Sequence, residues 1–183
     1  MIEIRDLSVK LGEKQIFEHY HAELPDEGIV LVSGESGIGK TTLLRVLCGL
    51  QKPDHGTING LSGRKISFVF QEPRLLEHVS ALKNVSIVSD KAKAEALPKR
   101  LNLTNELHLK AGSLSGGQKQ RASIARAFAL SDDVVLLDEP FTGLDEQNKE
   151  RVAELIRSAR LAVVVTHEAS DAALLNIDRK FSL

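Results

Sequence analysis

The stretch IVLVSGESGIGKTTLLRVLCGL, residues 29–50, joins an apolar strand to a helix through a glycine-rich turn. Its centre, GESGIGKTT at 34–42, matches the phosphate-loop pattern G-x-x-x-x-G-K-[ST]. Glycine backbone can approach phosphate oxygens closely, while Lys40 supplies a positive charge and Thr41 a hydroxyl for Mg²⁺. The positive end of the following helix points at the same place. The residues predicted to contact a bound nucleotide are Gly34, Glu35, Ser36, Gly37, Ile38, Gly39, Lys40, Thr41 and Thr42.

Four short β-rich runs predict the core of the fold. They are IVLV (29–32), ISFVF (66–70), VVLL (134–137) and AVVV (162–165). Three are almost continuously apolar, which is typical of parallel strands covered on both faces. Helical patterns separate the runs, including residues 146–160 with Asp145 as N-cap, so we expect an α/β fold with a mostly parallel sheet.

We expect residues 1–183 to form a single domain, in which two further regions accompany the parallel sheet. The opening run IEIRDLSVK and the run near 15–24 resemble an antiparallel β subdomain. Residues 72–130 have few strand signals and predict a short helical subdomain inserted into the sheet. Within it, Pro98 is expected to end or kink a helix that starts near residue 91.

Composition limits the classes of function. The 24 basic and 25 acidic residues give a net charge of −1, so no basic field recruits nucleic acid or anionic lipid. Cys48 is the single cysteine, which favours a reducing compartment. The charged first residues are unlike a signal peptide, and no apolar run approaches the ~20 residues of a membrane helix. We therefore expect a cytoplasmic chain that reaches a membrane only through a partner.

Acidic and imidazole side chains follow two of the predicted strands. VVLLDEP at 134–140 delivers Asp138 and Glu139 to the carboxyl end of a strand, where α/β sheets place their sites. Asp138 is predicted to hold Mg²⁺ and Glu139 to orient and deprotonate an attacking water. His167 ends AVVVTH and is predicted to contact the γ-phosphate, although a lone histidine at a strand end is more often structural.

The stretch SLSGGQKQRASIARAFAL, residues 113–130, places two glycines at the start of a helix. Ser115 and Gln118 have capping-box spacing, which explains those two residues but not Gly116 and Gly117. Glycines at a helix start leave its N–H groups open to a phosphate. Since the chain already has a phosphate loop, a second anion site makes sense if it serves a second ATP molecule, bound by another copy of the chain. The basic residues Lys119, Arg121 and Arg126 are expected to form a solvated helix face.

The motifs together resemble the ATP-binding-cassette ATPases over essentially the whole chain. They are the phosphate loop, LSGGQ (114–118), LLDEP, GLD (143–145), Gln71 and His167. The resemblance implies two cassettes that sandwich two ATP molecules head to tail, with Ser115, Gly116, Gly117 and Gln118 reaching the partner's ATP. It also implies that Asp145 links the two sites and that Gln71 senses Mg²⁺ and the γ-phosphate. Lys40, Gln71, Glu139 and His167 are all present, so we expect an active ATP hydrolase.

A finer resemblance concerns ISFVFQEPRLLEHVSALKNV, residues 66–85, which is similar to the ATPases of nitrate, sulfonate, taurine and thiamine-precursor importers. It implies a homodimer that energises a membrane permease docked after Gln71, with a substrate-binding protein, on the inner face of the membrane. Two alternatives remain: a non-transport cassette ATPase that organises a complex, and the ATPase of a lipoprotein or peptide exporter.

One position departs from the family pattern. Leu11 precedes Gly12 where the family usually has an aromatic residue that stacks on adenine. Adenine is then expected to be held by aliphatic contact with Leu11, or by Phe17 or Tyr20 if the first loop folds over it.

Overall fold

Two sheets organise the chain, and the computed structural model describes all residues from 1 to 183. The strands are β1 (Ile2–Leu11), β2 (Lys14–Leu24), β3 (Gly28–Ser33), β4 (His55–Asn59), β5 (Ile66–Val69), β6 (Val134–Asp138), β7 (Leu161–Val165) and β8 (Arg179–Ser182). The helices are α1 (Lys40–Leu47), α2 (Ala81–Ser86), α3 (Lys91–Arg100), α4 (Gly116–Leu130), α5 (Glu146–Ile156) and α6 (Ala169–Ala173). No helix combines the length and the apolar character that crossing a membrane requires.

The larger sheet is parallel throughout and confirms the predicted core. Its order is β5-β6-β7-β3-β8, and each neighbouring pair of strands is parallel. Every residue of β6 and β7 is buried, because helices and the second sheet cover both faces. The carboxyl ends of β3, β6 and β7 therefore lie at one edge, where the phosphate loop, the Asp138–Glu139 pair and His167 begin.

The smaller sheet is the predicted antiparallel subdomain, with the order β2-β1-β4. Alternate residues of β1 are buried, and they pack with α1 and one face of the parallel sheet in a cluster of 18 buried residues. The sequence patterns did not indicate β4 or β8. In β4 no residue is buried, so HGTIN carries no apolar signal, and β8 is a short, mostly exposed edge strand.

The region 72–130 contains α2, α3, α4 and a single 3-10 turn but none of the strands, as predicted. Helices α2 and α3 both pack against α4. Of the two outcomes predicted for Pro98, the end of the helix does not occur at that residue, because α3 continues through Pro98 to Arg100. In the last turn a proline removes only one helical hydrogen bond, and the Pro98 carbonyl accepts from the amides of Leu101 and Leu103 at 3.1 and 2.9 Å.

Helix α5 is shorter than predicted and ends at Ile156 rather than near residue 160. Its apolar face, which includes Val152 and Leu155, packs into the main core as the 3.6-residue pattern indicates. The predicted N-cap is confirmed, because the Asp145 side chain accepts from the Asn148 amide at 2.8 Å. Asp145 thus sits at the start of a firmly packed helix.

Candidate nucleotide-binding site

The phosphate loop, residues 34–39, joins β3 to α1 and leaves the start of the helix bare. Gly39 is the N-cap with φ of 121°, and no side chain caps the first amides of α1. A Cβ on Gly39 would lie 2.6 Å from Ile16 Cγ2, so glycine is required by both the backbone angle and the close approach of β2. The exposed amides and the positive end of α1 create a site for phosphate.

Lys40 lies across the loop and is only 5% exposed. Its Nζ donates to the carbonyl oxygens of Gly34 and Glu35 at 2.7 and 2.8 Å. These contacts hold the ammonium group beside the loop amides, where an outer phosphate can replace the carbonyls as its partner.

Thr41 and Asp138, both predicted to hold Mg²⁺, lie within hydrogen-bond distance of each other. The Thr41 Oγ1 donates to Asp138 Oδ2 at 2.8 Å, and Asp138 is 3% exposed at the end of β6. Burial raises the pKa of Asp138 above its ordinary value. A hydroxyl and a carboxylate facing a phosphate loop are the hard oxygen ligands that suit Mg²⁺, so the residues present fit that ion.

Glu139 follows β6 in a strained conformation, with φ of 50°. Its amide donates to the Val165 carbonyl at 2.9 Å, which fixes the turn against β7. No hydrogen bond reaches the buried Oε1, although His167 Nε2 lies 3.4 Å away. Burial raises the pKa of Glu139. A carboxylate in a cleft with one oxygen free of hydrogen bonds, on a residue with a strained backbone, has the properties of a general base.

One cleft of about 400 Å³ collects most of the predicted residues. Its lining residues are Leu11, Lys14, Ile16, Ser36, Gly37, Gly39, Lys40, Thr41, Thr42, Gln71, Asp138, Glu139, Val165 and His167. Gln71 enters from the loop after β5, beside the Thr41–Asp138 pair. Three predicted loop residues, Gly34, Glu35 and Ile38, are absent from the lining.

The β1–β2 hairpin lines part of the cleft through Leu11, Lys14 and Ile16. Leu11 pairs with Lys14 across the β1–β2 turn, and Lys14 Nζ donates to the Gly37 carbonyl at 3.3 Å. Lys14, Ile16 and Val165 were missed from the sequence, although residues 14 and 16 share one face of a strand. Neither Phe17 nor Tyr20, the alternative contacts for the base, lines the cleft; their ring centroids lie 5.1 Å apart, with Phe17 buried and Tyr20 packed partly against the same core.

The turn that starts α4, residues 115–118, is called here the signature turn. Ser115 and Gln118 form the predicted capping box, with Gln118 Oε1 accepting from the Ser115 amide at 2.8 Å. The two glycines differ. A Cβ on Gly116 would meet nothing within 4 Å, whereas one on Gly117 would lie 2.6 Å from the Gly143 carbonyl. Gly117 is therefore required by packing inside the chain, and only Gly116 has the open approach that a phosphate needs.

The structure does not bring the signature turn or Asp145 to the cleft of the same chain. Neither contributes to the cleft lining. The hydrogen bond from the Asn148 amide lowers the pKa of Asp145, so its exposed carboxylate is charged at the start of α5. These residues form a separate surface of the molecule.

The prediction that Lys119, Arg121 and Arg126 form a solvated face of α4 is wrong for the two arginines. Arg121 is 7% exposed and donates to the carbonyls of Leu101 and Asn102 at 2.8 and 2.7 Å. Arg126 donates to the Arg74 carbonyl at 3.0 Å. Both guanidinium groups satisfy loop carbonyls of the helical region, whereas Lys119 pairs at 3.4 Å with the exposed Glu77.

Comparison with known proteins agrees with the motifs. The family described as ABC transporter matches residues 17–142. A probable sulfate/thiosulfate import ATP-binding protein CysA of Chlorella vulgaris is 36% identical over 92% of this chain and 81% of its own length. The aliphatic sulfonates import ATP-binding protein SsuB 2 of Pseudomonas syringae is 35% identical over 95% of this chain and 66% of its own. SsuB 3 of Rhodococcus jostii is 37% identical over 90% and 64%.

Solved structures show the same architecture. A dimeric post-hydrolysis state of the ATP-binding cassette MJ0796 bound to ADP and Pi has a TM-score of 0.85 and 27% identity, and the match covers 100% of this chain and 94% of that one. A bacterial Atm1-family exporter with ATP bound has a TM-score of 0.87, but its 21% identity and 37% coverage of that chain show the fold alone. From the family match, these relatives and the shared fold, we conclude that the chain belongs to the ABC transporter family and carries the ATPase domain of that family.

Proposed function

We propose that the chain is the ATP-hydrolysing subunit of a membrane importer and that it works as a homodimer around two ATP molecules. One observation carries this proposal. One cleft is lined by residues of the phosphate loop, the Thr41–Asp138 pair, His167 and Glu139, whose Oε1 receives no hydrogen bond. Binding, metal retention and water activation therefore have their residues in one place.

Nucleotide binding uses groups that are already oriented. The bare amides of α1 donate hydrogen bonds to the phosphate oxygens, and Lys40 exchanges the carbonyls of Gly34 and Glu35 for the outer phosphates. Thr41 and Asp138 hold Mg²⁺, with Gln71 beside them. When bound, the ion neutralises charge on the phosphate oxygens.

Glu139 and His167 carry out hydrolysis. Glu139 Oε1 has no hydrogen-bond partner and accepts a proton from the water that attacks the γ-phosphate in line. Its raised pKa makes the carboxylate a stronger base than an exposed glutamate. His167 Nε2, 3.4 Å from that carboxylate, contacts the γ-phosphate and keeps the reacting groups together.

A second copy completes each site. The cleft lacks the signature turn of its own chain, while Gly116 offers bare helix amides on an open surface. The dimeric structures of the MJ0796 cassette support the pairing of two copies, which we propose to be head to tail. Asp145, charged and exposed at the start of α5, faces the partner in this arrangement.

The import role rests on the relatives, whose names give sulfate/thiosulfate and aliphatic sulfonate import. We place the chain on the inner face of the membrane, bound through residues 72–130 to permease subunits that a substrate-binding protein supplies. Small sulfur oxyanions are the first cargo class to test. Co-purification of the tagged chain from membranes should recover an integral-membrane partner, and recovery of only soluble partners would favour a non-transport role.

Glu139→Gln tests the hydrolytic core of the proposal. It keeps the size of the side chain but removes the proton acceptor, so turnover should fall by roughly 10² or more while ATP binding persists. An ATP-bound dimer should then accumulate on size-exclusion chromatography. Glu154→Gln, at an exposed position of α5, is the matched control and should behave as wild type. Near-normal turnover in Glu139→Gln would exclude Glu139 as the base.

A further inference from the structure

Lys149 of α5 stands at the centre of a cluster of acidic side chains. Its Nζ lies 2.7 Å from Asp171 Oδ1, 3.4 Å from Glu168 Oε2 and 3.8 Å from Glu146 Oε1. The side chain of Lys149 is 12% exposed and that of Asp171 is 6% exposed. Two of these acids belong to the segment that follows His167, so one lysine from another helix holds that segment.

The Lys149–Asp171 contact is the strongest member of the cluster. A nearly buried carboxylate without a partner is costly, and Lys149 is the cation that compensates Asp171. The hydrogen bond to Asp171 raises the pKa of Lys149, so the ammonium group stays charged throughout the neutral range. Removal of the lysine charge leaves Asp171 buried and uncompensated and favours movement of α6 toward water.

The cluster connects two functional segments that are distant along the chain. Asp145 caps α5, and the Lys149 amide donates to the Asp145 carbonyl at 2.8 Å. On the other side, Glu168 is the residue after His167 and the N-cap of α6. The Lys149 side chain thus ties the helix that begins at Asp145 to the segment that begins at His167.

His167 itself has little to hold it. Its side chain is 52% exposed, and its nearest charged neighbour is Glu139 Oε1 at 3.4 Å. The position of the His167 side chain therefore depends on the backbone on either side of it. On one side β7 ends at Val165, and on the other the Lys149 cluster begins at Glu168.

We propose that Lys149 is a positioning residue that fixes His167 at the cleft and couples it to Asp145, so that both segments move with α5. This inference rests on the proposed function, in which His167 contacts the γ-phosphate and Asp145 faces the second copy. Closure of the dimer around Asp145 then also sets His167 for hydrolysis. ATP binding to the phosphate loop needs no such coupling.

The test compares four purified proteins: wild type, Lys149→Met, Lys149→Arg and Arg64→Met. Methionine keeps the unbranched stem of lysine without its charge. Arg64 is the matched control, because it pairs with Asp133 at 2.9 Å and is 11% exposed, yet this pair precedes β6 at the opposite edge of the same sheet. The readouts are kcat and KM for ATP, and hydrogen exchange of residues 166–173.

We expect kcat of Lys149→Met to fall roughly tenfold or more with KM nearly unchanged, since misplacement by about 1 Å can cost up to about 10²-fold. Exchange at residues 166–173 should become faster in the same variant. Lys149→Arg should restore both readouts. Arg64→Met should lower the thermal midpoint but leave kcat and this exchange as in wild type.

Two results would overturn the proposal: unchanged kcat in Lys149→Met, or unchanged exchange at residues 166–173. Equal losses of kcat in Lys149→Met and Arg64→Met would also overturn it, since the effect would then be one of general stability. If Lys149→Met does not fold, Asp171→Asn removes the opposite charge and should give the same pattern to a smaller extent. If wild type hydrolyses no ATP, the proposed function fails, and the exchange measurement still decides whether Lys149 holds the segment.

Discussion

The chain has two glycine-containing helix starts, and they are built differently. At the phosphate loop the N-cap is Gly39, with no side-chain cap, so the amides of α1 are bare. At the signature turn a capping box satisfies the amides of Ser115 and Gln118, and the glycine amides between them stay free. The first start opens into a cleft lined also by residues of β1, β2, β6 and β7 and of the loops after β5, β6 and β7, while the second contributes nothing to that cleft.

The phosphate loop and the signature turn differ in which other residues lie beside them. Lys40, Asp138, Glu139 and His167 converge on the phosphate loop because parallel strands end at one edge. At the signature turn only Gly116 is open, and Gly117 is occupied with packing against Gly143. In the proposed function the phosphate loop therefore binds a nucleotide within one chain, whereas the signature turn acts on the nucleotide of a second copy.

The largest expected effect separates these two regions directly. Ser115→Arg places bulk and charge where the partner's phosphate must lie, so turnover should fall by roughly 10² or more while a single chain still binds ATP. Lys40→Ala should instead weaken ATP binding by about 10- to 10²-fold, since a hydrogen bond to a charged group contributes about 1.5–3 kcal/mol. Isothermal titration and ATPase assays distinguish the two defects.

Mixing the two variants gives the decisive control for that prediction. A heterodimer of Ser115→Arg with Lys40→Ala contains one site with an intact phosphate loop and an intact signature turn. ATP-dependent pairing should therefore appear in the mixture to a greater extent than in either variant alone. If the mixture pairs no better than its components, the two regions do not meet across a dimer.

The two glycines of the signature turn should respond differently to alanine. Gly117→Ala brings a Cβ within 2.6 Å of the Gly143 carbonyl and should lower the free energy of unfolding; overpacking typically costs about 1–3 kcal/mol. Gly116→Ala meets no neighbour and should keep or raise stability by up to about 1 kcal/mol, yet lower turnover because its methyl group faces the partner. Urea denaturation and ATPase assays of both variants decide this. Equal stability losses would contradict the distinction between the glycines.

Variants in the cleft and in the signature turn should also differ in how their stability depends on pH. Burial raises the pKa of Glu139, so between its ordinary value of 4.5 and the raised value the folded state binds more protons than the unfolded state. Ionised Glu139 thus opposes folding at neutral pH. Glu139→Gln should raise the thermal midpoint at pH 7, and its advantage should shrink toward zero as the pH falls through that window.

Ser115→Ala is the control for this pH dependence, because it removes an uncharged group from the signature turn. Loss of the cap should lower the free energy of unfolding by about 1 kcal/mol. Neither member of the capping box titrates, so this loss should be nearly the same at both ends of the pH range. A pH-independent effect of Glu139→Gln would show that burial of its charge is not what limits stability.

The sequence predicted the parts of this molecule that are governed by local patterns. The continuously apolar runs of β6 and β7 and the glycine spacing of the phosphate loop each report a local requirement, and the structure confirms them. The capping box of Ser115 and Gln118 is local as well. These elements place most of the cleft.

What escaped prediction depends on contacts between distant segments. Arg121 looked solvated because its helix position is polar, but loop carbonyls 19 and 20 residues away surround it. Lys14 and Ile16 enter the cleft through the register of β1 against β2, which periodicity does not specify. The distinct roles of Gly116 and Gly117 depend on where Gly143 lies. Such information resides in tertiary packing.

The smallest expected effect concerns the base end of the cleft. Leu11 is 42% exposed there, and neither Phe17 nor Tyr20 is among the residues that line the cleft. Stacking is worth about 0.5–1.5 kcal/mol beyond burial, so Leu11→Tyr should tighten ATP binding by up to about tenfold. Wild type should discriminate poorly between ATP and GTP, because aliphatic contact is insensitive to base edges. Leu50→Tyr adds the same ring at an exposed leucine outside the cleft and is the control in titrations with both nucleotides. Equal affinities in wild type and Leu11→Tyr would mean that Leu11 does not reach the base and that Ile16 and Lys14 alone hold it.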